Sequence, residues 1–273
     1  MLHIFHKTSI GYSHLKNKKL CQDYSLTYSD VDKKVIACAD GHGGDIYIRS
    51  HLGSKYACES ILNVFSRLSS SYFHKYEEKD IEEKIKLDIL CEWNKKVERS
   101  LVKNRFKKRE LEKLNEDDKD YLISNPVKAY GTTLGGALLI ENILVVVSIG
   151  DTECLLINKG ELEKTFDNSD DPAANVTYSM CQEDAYQYLR VKVFDFRQYD
   201  GVILCTDGLS SPFQSYKNFN QSFIKPLMKQ IINEHQVCYL DNYVSSLGEK
   251  RGNGDDVSVA FIIKDTAKKK YYK

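Results

Sequence analysis

Short apolar runs that end on aspartate set the pattern of this chain. Val35-Ile36-Ala37-Cys38-Ala39 has the length of a strand and stops on Asp40, and Gly41, His42, Gly43 and Gly44 follow at once. Residues 144–149 lead through Gly150 to Asp151, residues 202–206 lead to Asp207-Gly208, and Asp255-Asp256 immediately precede the run 257–263. A single Asp-Gly pair is ordinarily a turn and nothing more. Four strand-like runs that each carry a carboxylate at one end are poorly explained by chance placement.

The same periodicity predicts the rest of the framework. Residues 1–5 and 25–28 read as short strands, separated by a polar loop over 11–23 that carries His14, Lys16, Lys18, Lys19, Gln22 and Asp23. From 44 to 68 apolar residues recur at helical spacing, which predicts an amphipathic helix over one sheet face. Residues 75–125 form a charged helical segment; within it Ile81, Ile85, Ile89, Trp93, Val97 and Leu101 predict one or two long solvent-exposed helices. Beyond Pro126 the character becomes antiparallel: 131–140, a turn at Glu141-Asn142, the strand to Asp151, then 152–158 and 161–166 as a meander about Lys159-Gly160. Residues 167–187 predict a loop with a short helix near the site. Residues 191–196 and 202–206 predict a hairpin about Tyr199-Asp200-Gly201, 219–247 a helical pair, and 268–273 a frayed basic tail.

Composition narrows the class. With 273 residues and 42% hydrophobic content the chain supports a real core, and a single domain over 1–273 is expected. Lys+Arg and Asp+Glu balance at 39 each, so no basic field argues for nucleic acid. The cluster Lys103, Arg105, Lys107, Lys108, Arg109 reads as a solvated helix face. Eight cysteines (Cys21, Cys38, Cys58, Cys91, Cys154, Cys181, Cys205, Cys238) are dispersed without a C-x-x-C pair, a pattern of buried thiols in a reducing compartment. No leader pattern opens the chain and no apolar run approaches the roughly 20 residues of a membrane span. A cytoplasmic protein that binds neither membrane nor nucleic acid is expected.

Strand-end carboxylates without paired His or Cys form an all-oxygen donor set, suited to magnesium or manganese. If Asp40, Asp207 and Asp255 converge, their repulsion calls for cations between them. Two metals sharing Asp40 would activate a bridging water and clamp an in-line displacement, the chemistry of phosphoester hydrolysis. Rival motifs are missing: Gly131 to Gly136 lacks the Gly-Lys-Ser/Thr of a P-loop, and there is neither G-x-G-x-x-G nor G-x-S-x-G. No Cys is followed by a phosphate-cradling loop ending in Arg.

Asp40-Gly41-His42-Gly43-Gly44, Gly131-Thr132-Thr133, Ile149-Gly150-Asp151, Cys205-Thr206-Asp207-Gly208 and Asp255-Asp256-Val257-Ser258 occur in an order and spacing that resembles the PP2C-type, metal-dependent serine/threonine protein phosphatases, in their compact bacterial style. The resemblance covers nearly the whole chain. It implies an α+β fold, a four-layer αββα sandwich of two antiparallel sheets flanked by helix pairs, with a dinuclear Mn/Mg site at one edge. By that resemblance Asp40 bridges both metals, Gly41 lends its carbonyl, Asp207 and Asp255 are direct ligands, and Asp23 holds a metal-bound water. His42 resembles the acid that protonates the leaving alcohol, and Asp151 a ligand of a third metal. The implied partner is a phosphoserine or phosphothreonine protein, opposite a Ser/Thr kinase, and a monomer is expected.

The chain also departs from the family pattern. Gln22 stands where the family often has Glu, so it can hold a metal water but brings no charge. The phosphate-gripping Arg of the family falls on Lys18, a point charge without a bidentate fork. Ser211 replaces the second acidic partner of the third site. His14 is expected as a surface loop residue ahead of a phosphate contact, with Lys16 and Lys19 as other candidates to share that task. Gly131 and Thr132 are expected to pack behind the site, and Asp256 to cap rather than ligate. The alternatives to a phosphoprotein phosphatase are a pseudophosphatase that binds phosphorylated partners without turnover, and a hydrolase of small phosphoesters.

Overall fold

The computed structural model describes residues 1–166, 177–213, 215–230, 237–249 and 254–266. In chain order the first half contains β1 (Leu2–Ser9), α1 (Tyr12–Lys16), β2 (Tyr24–Ser29), β3 (Lys33–Ala39), α2 (Ser50–Phe65), α3 (Ser70–Lys75), α4 (Glu78–Lys103), α5 (Lys108–Leu111) and α6 (Glu116–Ser124). Then come β4 (Leu134–Ile140), β5 (Ile143–Ile149), β6 (Glu153–Asn158), β7 (Glu161–Lys164), α7 (Ala185–Tyr188), β8 (Arg190–Asp195) and β9 (Gly201–Cys205). The chain finishes with α8 (Asp207–Ser210), α9 (Tyr216–Phe219), α10 (Lys225–Gln230), α11 (Val237–Leu247) and β10 (Val257–Lys264).

Two five-stranded sheets result, ordered β1-β10-β9-β6-β7 and β2-β3-β4-β5-β8, with antiparallel pairing between neighbours. Alternation along each strand decides which layer a residue enters. On β3, Ile36 and Cys38 face the other sheet and meet Leu204, Ala260 and Ile262, while Val35, Ala37 and Ala39 face the helices. On the sheet that contains β9 and β10, Ile203, Val259 and Phe261 pack outward against Phe219, Phe223 and Leu227. Three cores therefore separate four layers, and the expected αββα sandwich is what forms.

The charged segment is less exposed than predicted. The side chains of Ile81, Ile85, Ile89, Trp93 and Val97 are buried on one face of α4, packed with Ile61, Val64 and Phe65 of α2. Every fourth residue of a helix returns to the same stripe, so the lysines and glutamates take the solvent face and the apolar stripe closes the layer. The cluster Lys103, Arg105, Lys107, Lys108, Arg109 is exposed, as expected of a solvated face. Helix α2 begins at Ser50 rather than near residue 44, because Gly41 to Arg49 is spent on the site loop, whose Arg49 N–H donates to Ala129 O at 2.8 Å.

Two predicted pairings are corrected. β8 and β9 do not form a hairpin: β8 pairs with β5 in one sheet, and β9 lies between β10 and β6 in the other. A 3-10 turn, Phe196–Gln198, carries the chain across, with Phe196 buried between the sheets and Lys264 Nζ donating to Phe196 O at 2.7 Å. Likewise β5 does not continue into β6 as a meander, since the chain changes sheet through Gly150, whose φ of 83° belongs to the left-handed region. Turn residues look alike whether they fold a strand back or send it to the facing sheet. The predicted tail at 268–273 and much of the loop predicted over 167–187 lie outside the described residues.

Trp93 is fully buried and its Nε1 donates to Gly53 O at 3.1 Å, fastening α4 to α2. Replacing it with alanine should cost about 3–5 kcal/mol of unfolding free energy in urea titration of the full chain. A loss below about 1 kcal/mol, the scale of an ordinary substitution, would show that α4 is not part of the cooperative unit.

Candidate metal centre

Four strand ends meet at one edge of the sandwich. β3 and β5 end there in one sheet, and in the other β9 ends where β10 begins, so Asp40, Asp151, Asp207 and Asp255 come together from four separate stretches of chain. They line a cavity of about 220 Å³ together with His14, Gln22, Gly41, His42, Gly43, Thr133, Thr177 and Asp256. Of the residues singled out in the sequence, Asp40, Gly41, His42, Asp207, Asp255, Gln22 and Asp151 line this cavity, and Asp23 and Lys18 do not.

The backbone of Asp40 is held on both sides. Thr132 Oγ1 and the Thr133 N–H donate to Asp40 O, each at 2.8 Å, and the Asp40 N–H donates to Thr133 Oγ1 at 3.0 Å. Thr133 Oγ1 in turn meets Thr152 Oγ1 at 2.6 Å, which ties the end of β3 to the start of β6. The His42 N–H donates to Gly131 O at 3.0 Å, and the His42 ring meets Tyr47 edge-on, centroids 4.9 Å apart. A Cβ on residue 131 would stand 2.3 Å from Tyr47 Cδ1 and 2.8 Å from His42 Cδ2, so only glycine lets both rings lie there. Gly131 and Thr132 thus pack behind the site, as expected. Asp207 opens α8, and the chain approaches so closely that a Cβ on Gly208 would lie 1.8 Å from Asp256 O.

Gln22 spends its amide on the protein: Nε2 donates to His42 O at 2.9 Å and to Ser50 Oγ at 2.5 Å. A backbone carbonyl can only accept, so the nitrogen faces His42 and Oε1 is left near Gly43. Asp23 is buried beneath the cavity, accepting from Thr206 Oγ1 at 2.8 Å. Lys18 is exposed on a left-handed turn with φ 53° after α1. Asp151 accepts from Thr177 Oγ1 at 3.0 Å. Asp256, 3% exposed, caps the loop before β2 by accepting from the Gly11 and Gln22 N–H groups, both at 2.7 Å. His14 is neither a free surface residue nor idle, because its Nδ1 meets Asp256 Oδ2 at 2.8 Å. Thr132, Thr133 and Thr206 stand inside motifs the sequence displayed, but their hydrogen bonds, the part played by Thr152, and the bond from His14 to Asp256 had no signal there.

The electrostatics are those of an anionic cavity. Asp40 is raised well above the usual carboxylate range, first by burial and then by Asp23, Asp207, Asp151 and Asp255. Burial raises Asp207 as well, with Asp151 and Asp255 adding to it. Asp23 is pushed up to about 8 by burial, against the Thr206 hydroxyl bond that lowers it, with Asp256 and Asp255 raising it further. Burial pulls His42 down, opposed by Asp151.

Hard divalent cations fit this donor set. Asp207 Oδ1 is buried and has no hydrogen-bond partner, an expensive state for a carboxylate oxygen unless something positive reaches it. Among the described residues no three His, Cys, Asp or Glu side chains close on one point as a complete cage. Oxygen donors around a cavity with room for retained water suit magnesium or manganese better than a dry cage would.

The sequence and the αββα sandwich both have counterparts among known proteins. Residues 10–244 match the sequence profile of Protein phosphatase 2C. The fold is similar to that of the serine/threonine phosphatase Stp1 from Staphylococcus aureus, at 16% identity and a TM-score of 0.58, over 96% of this chain and 95% of that one. It is also similar to the serine/threonine phosphatase PstP/Ppp of Mycobacterium tuberculosis, at 18% identity and a TM-score of 0.57, over 97% and 99%. The catalytic domain of PstP in complex with two manganese ions matches at 19% identity and a TM-score of 0.56, over 96% and 97%. No curated protein sequence matches the chain. The chain belongs to the protein phosphatase 2C family, a family of metal-dependent enzymes that act on phosphoserine and phosphothreonine proteins. Among the described residues no helix is long and apolar enough to cross a membrane.

In the metal-free chain the folded state retains protons on Asp23, Asp40 and Asp207 that the unfolded chain releases near pH 4. The stability these three carboxyls contribute is therefore fully present below about pH 4 and is lost as pH rises toward about 8. Calorimetric melting in EDTA should show the midpoint falling from pH 5 to pH 8, and manganese should raise it most at pH 8. At a hundredfold excess over Kd the gain is about 2.7 kcal/mol. A midpoint that climbs with pH in EDTA would overturn the protonated carboxyls, and one that ignores manganese at pH 8 would remove the cation from this cavity.

Proposed function

We propose that the chain hydrolyses phosphoserine and phosphothreonine in proteins, as a single-domain monomeric phosphatase opposing a Ser/Thr kinase in the cytoplasm. The observation that carries this reading is the meeting of four strand-end aspartates beside His42, with Asp207 Oδ1 buried and unpartnered. Two manganese or magnesium ions would supply an activated water and neutralise the phosphoryl charge. Asp40 would bridge them, with the Gly41 carbonyl, Asp207 and Asp255 as the other direct ligands. Asp23 and the Oε1 of Gln22 would orient bound waters, and Asp151 would serve a third ion.

The remaining work falls to the chain. The backbone of Asp40 is held by Thr132 and Thr133, which fixes the root of its carboxylate and serves the preorganisation an in-line displacement needs. His42 would give its proton to the departing serine or threonine oxygen. Burial works against that protonated form, and the negative phosphoryl group arriving beside the ring works for it. A pseudophosphatase remains the second reading: Gln22 brings no charge, and among the described lining residues there is no lysine or arginine.

Activity on a phosphothreonine peptide should vanish with EDTA and return with manganese, and Asp40→Asn should lose both metal affinity and turnover. Full activity in EDTA would eliminate the dinuclear reading, while tight peptide binding without turnover would favour the pseudophosphatase. His42→Ala should depress phosphothreonine turnover by about a hundredfold or more, and p-nitrophenyl phosphate turnover much less, because nitrophenolate leaves without a proton. Equal losses on the two substrates together with loss of manganese would make His42 a loop strut.

A further inference from the structure

The loop between β1 and β2 carries Lys16, Lys18 and Lys19, all exposed, yet the group it brings to the cavity is an imidazole. Among the described lining residues only His14 and His42 can carry positive charge. His42 is placed by the Gly131 carbonyl and Tyr47 at the end of β3. His14 approaches from the other sheet, held by the start of β10.

The holding group is Asp256, whose side chain is 3% exposed while that of His14 is 12% exposed. Oδ1 accepts from the Gly11 N–H at 2.7 Å. Oδ2 accepts from the Gln22 N–H at 2.7 Å and from His14 Nδ1 at 2.8 Å. A carboxylate already facing two backbone donors is an acceptor, so Nδ1 carries a hydrogen. That leaves Nε2 on the opposite edge of the ring, with no hydrogen-bond partner among the described residues. Asp256 thus binds both ends of the loop and its imidazole, one residue after the expected metal ligand Asp255.

We propose that His14 contacts the substrate: as imidazolium it donates from Nε2 to a non-bridging phosphoryl oxygen, with Asp256 as the positioning residue that orients the ring and supplies its counter-charge. The proposal rests on the phosphatase reading above and assigns to His14 the phosphate contact expected of Lys18. A charge-assisted bond from a ring already held at Nδ1 loses less freedom on binding than one from a lysine on an exposed turn.

The test uses the full chain loaded with manganese, with inorganic phosphate as the probe of the contact. His14→Ala should raise the KM for a phosphothreonine peptide and the calorimetric Kd for phosphate together, each about tenfold, the loss of one such bond. The manganese Kd should stay within twofold. His14→Gln, which keeps a neutral donor of similar reach, should recover part of the loss, and Asp256→Asn should fall between wild type and His14→Ala. A manganese Kd that weakens in step with KM would make His14 a strut of the loop and overturn the proposal. So would a larger loss in Lys18→Ala than in His14→Ala, or unchanged phosphate affinity in His14→Ala. Because phosphate binding is read without turnover, a catalytically silent wild type would defeat the phosphatase reading while still deciding the role of His14.

Discussion

Like charges held close in a poorly solvated place repel, and this fold gathers Asp23, Asp40, Asp151, Asp207 and Asp255 at a single edge. Everything around them can be understood as resisting that repulsion. Asp40 cannot retreat, because three hydrogen bonds with Thr132 and Thr133 fix its backbone, and those threonines immediately precede the buried strand β4. Thr206 holds Asp23 with its hydroxyl and the N–H of Ser258 donates to the same oxygen, joining β9 to β10 directly below the cavity. The sandwich supplies the counterforce: three apolar layers keep the strand ends from separating, and a divalent cation would turn the same geometry from repulsive to attractive.

The charged segment between α2 and β4 serves the site from a distance. Arg49 closes the loop that carries His42, and its guanidinium, almost fully buried, bonds Glu110 through Nε at 2.8 Å and Nη2 at 3.0 Å. It also reaches Asn104 O, Arg105 O and the Tyr130 hydroxyl, and lies over the Phe106 ring. A planar fork fits this demand and an ammonium would not. Residues far apart in sequence, at 104–110 and at 130, are thereby fastened to the turn beside the metal-site loop. Asp256 does the same from the other sheet, so each sheet contributes one buried polar clamp to the edge where the chemistry is expected.

Identity of only 16–19% with the structures it resembles is compatible with one fold because the layers demand a pattern more than particular residues. Strands β3, β4, β5 and β10 are nearly continuous apolar runs, buried on both faces between a sheet and a helix layer. Any residues of suitable volume and β preference meet that need. The site loops are less forgiving: Gly131 and Gly208 sit where a Cβ would strike a ring or a carbonyl.

Local order in the sequence was enough for the strand-end aspartates, the glycine turn around His42 and the amphipathic helices, since each depends on residues within a few positions. The resemblance of five short motifs then carried the family and the four layers. Pairing across distance was decided elsewhere. Whether Tyr199-Asp200-Gly201 folds a strand back or sends it to the facing sheet depends on partners about fifty to sixty residues away in β5 and β10, as in the Val145–Val193 and Phe261–Ile203 registers. The stripe on α4 was visible, but its burial depended on α2 arriving to cover it. His14 and Asp256 are 242 positions apart, and no periodicity or motif spacing links them. Local chemistry and alternation were written in the chain; which polar groups would face one another was settled only when two sheets closed on each other and left a few carboxylates, two imidazoles and an amide at their shared edge.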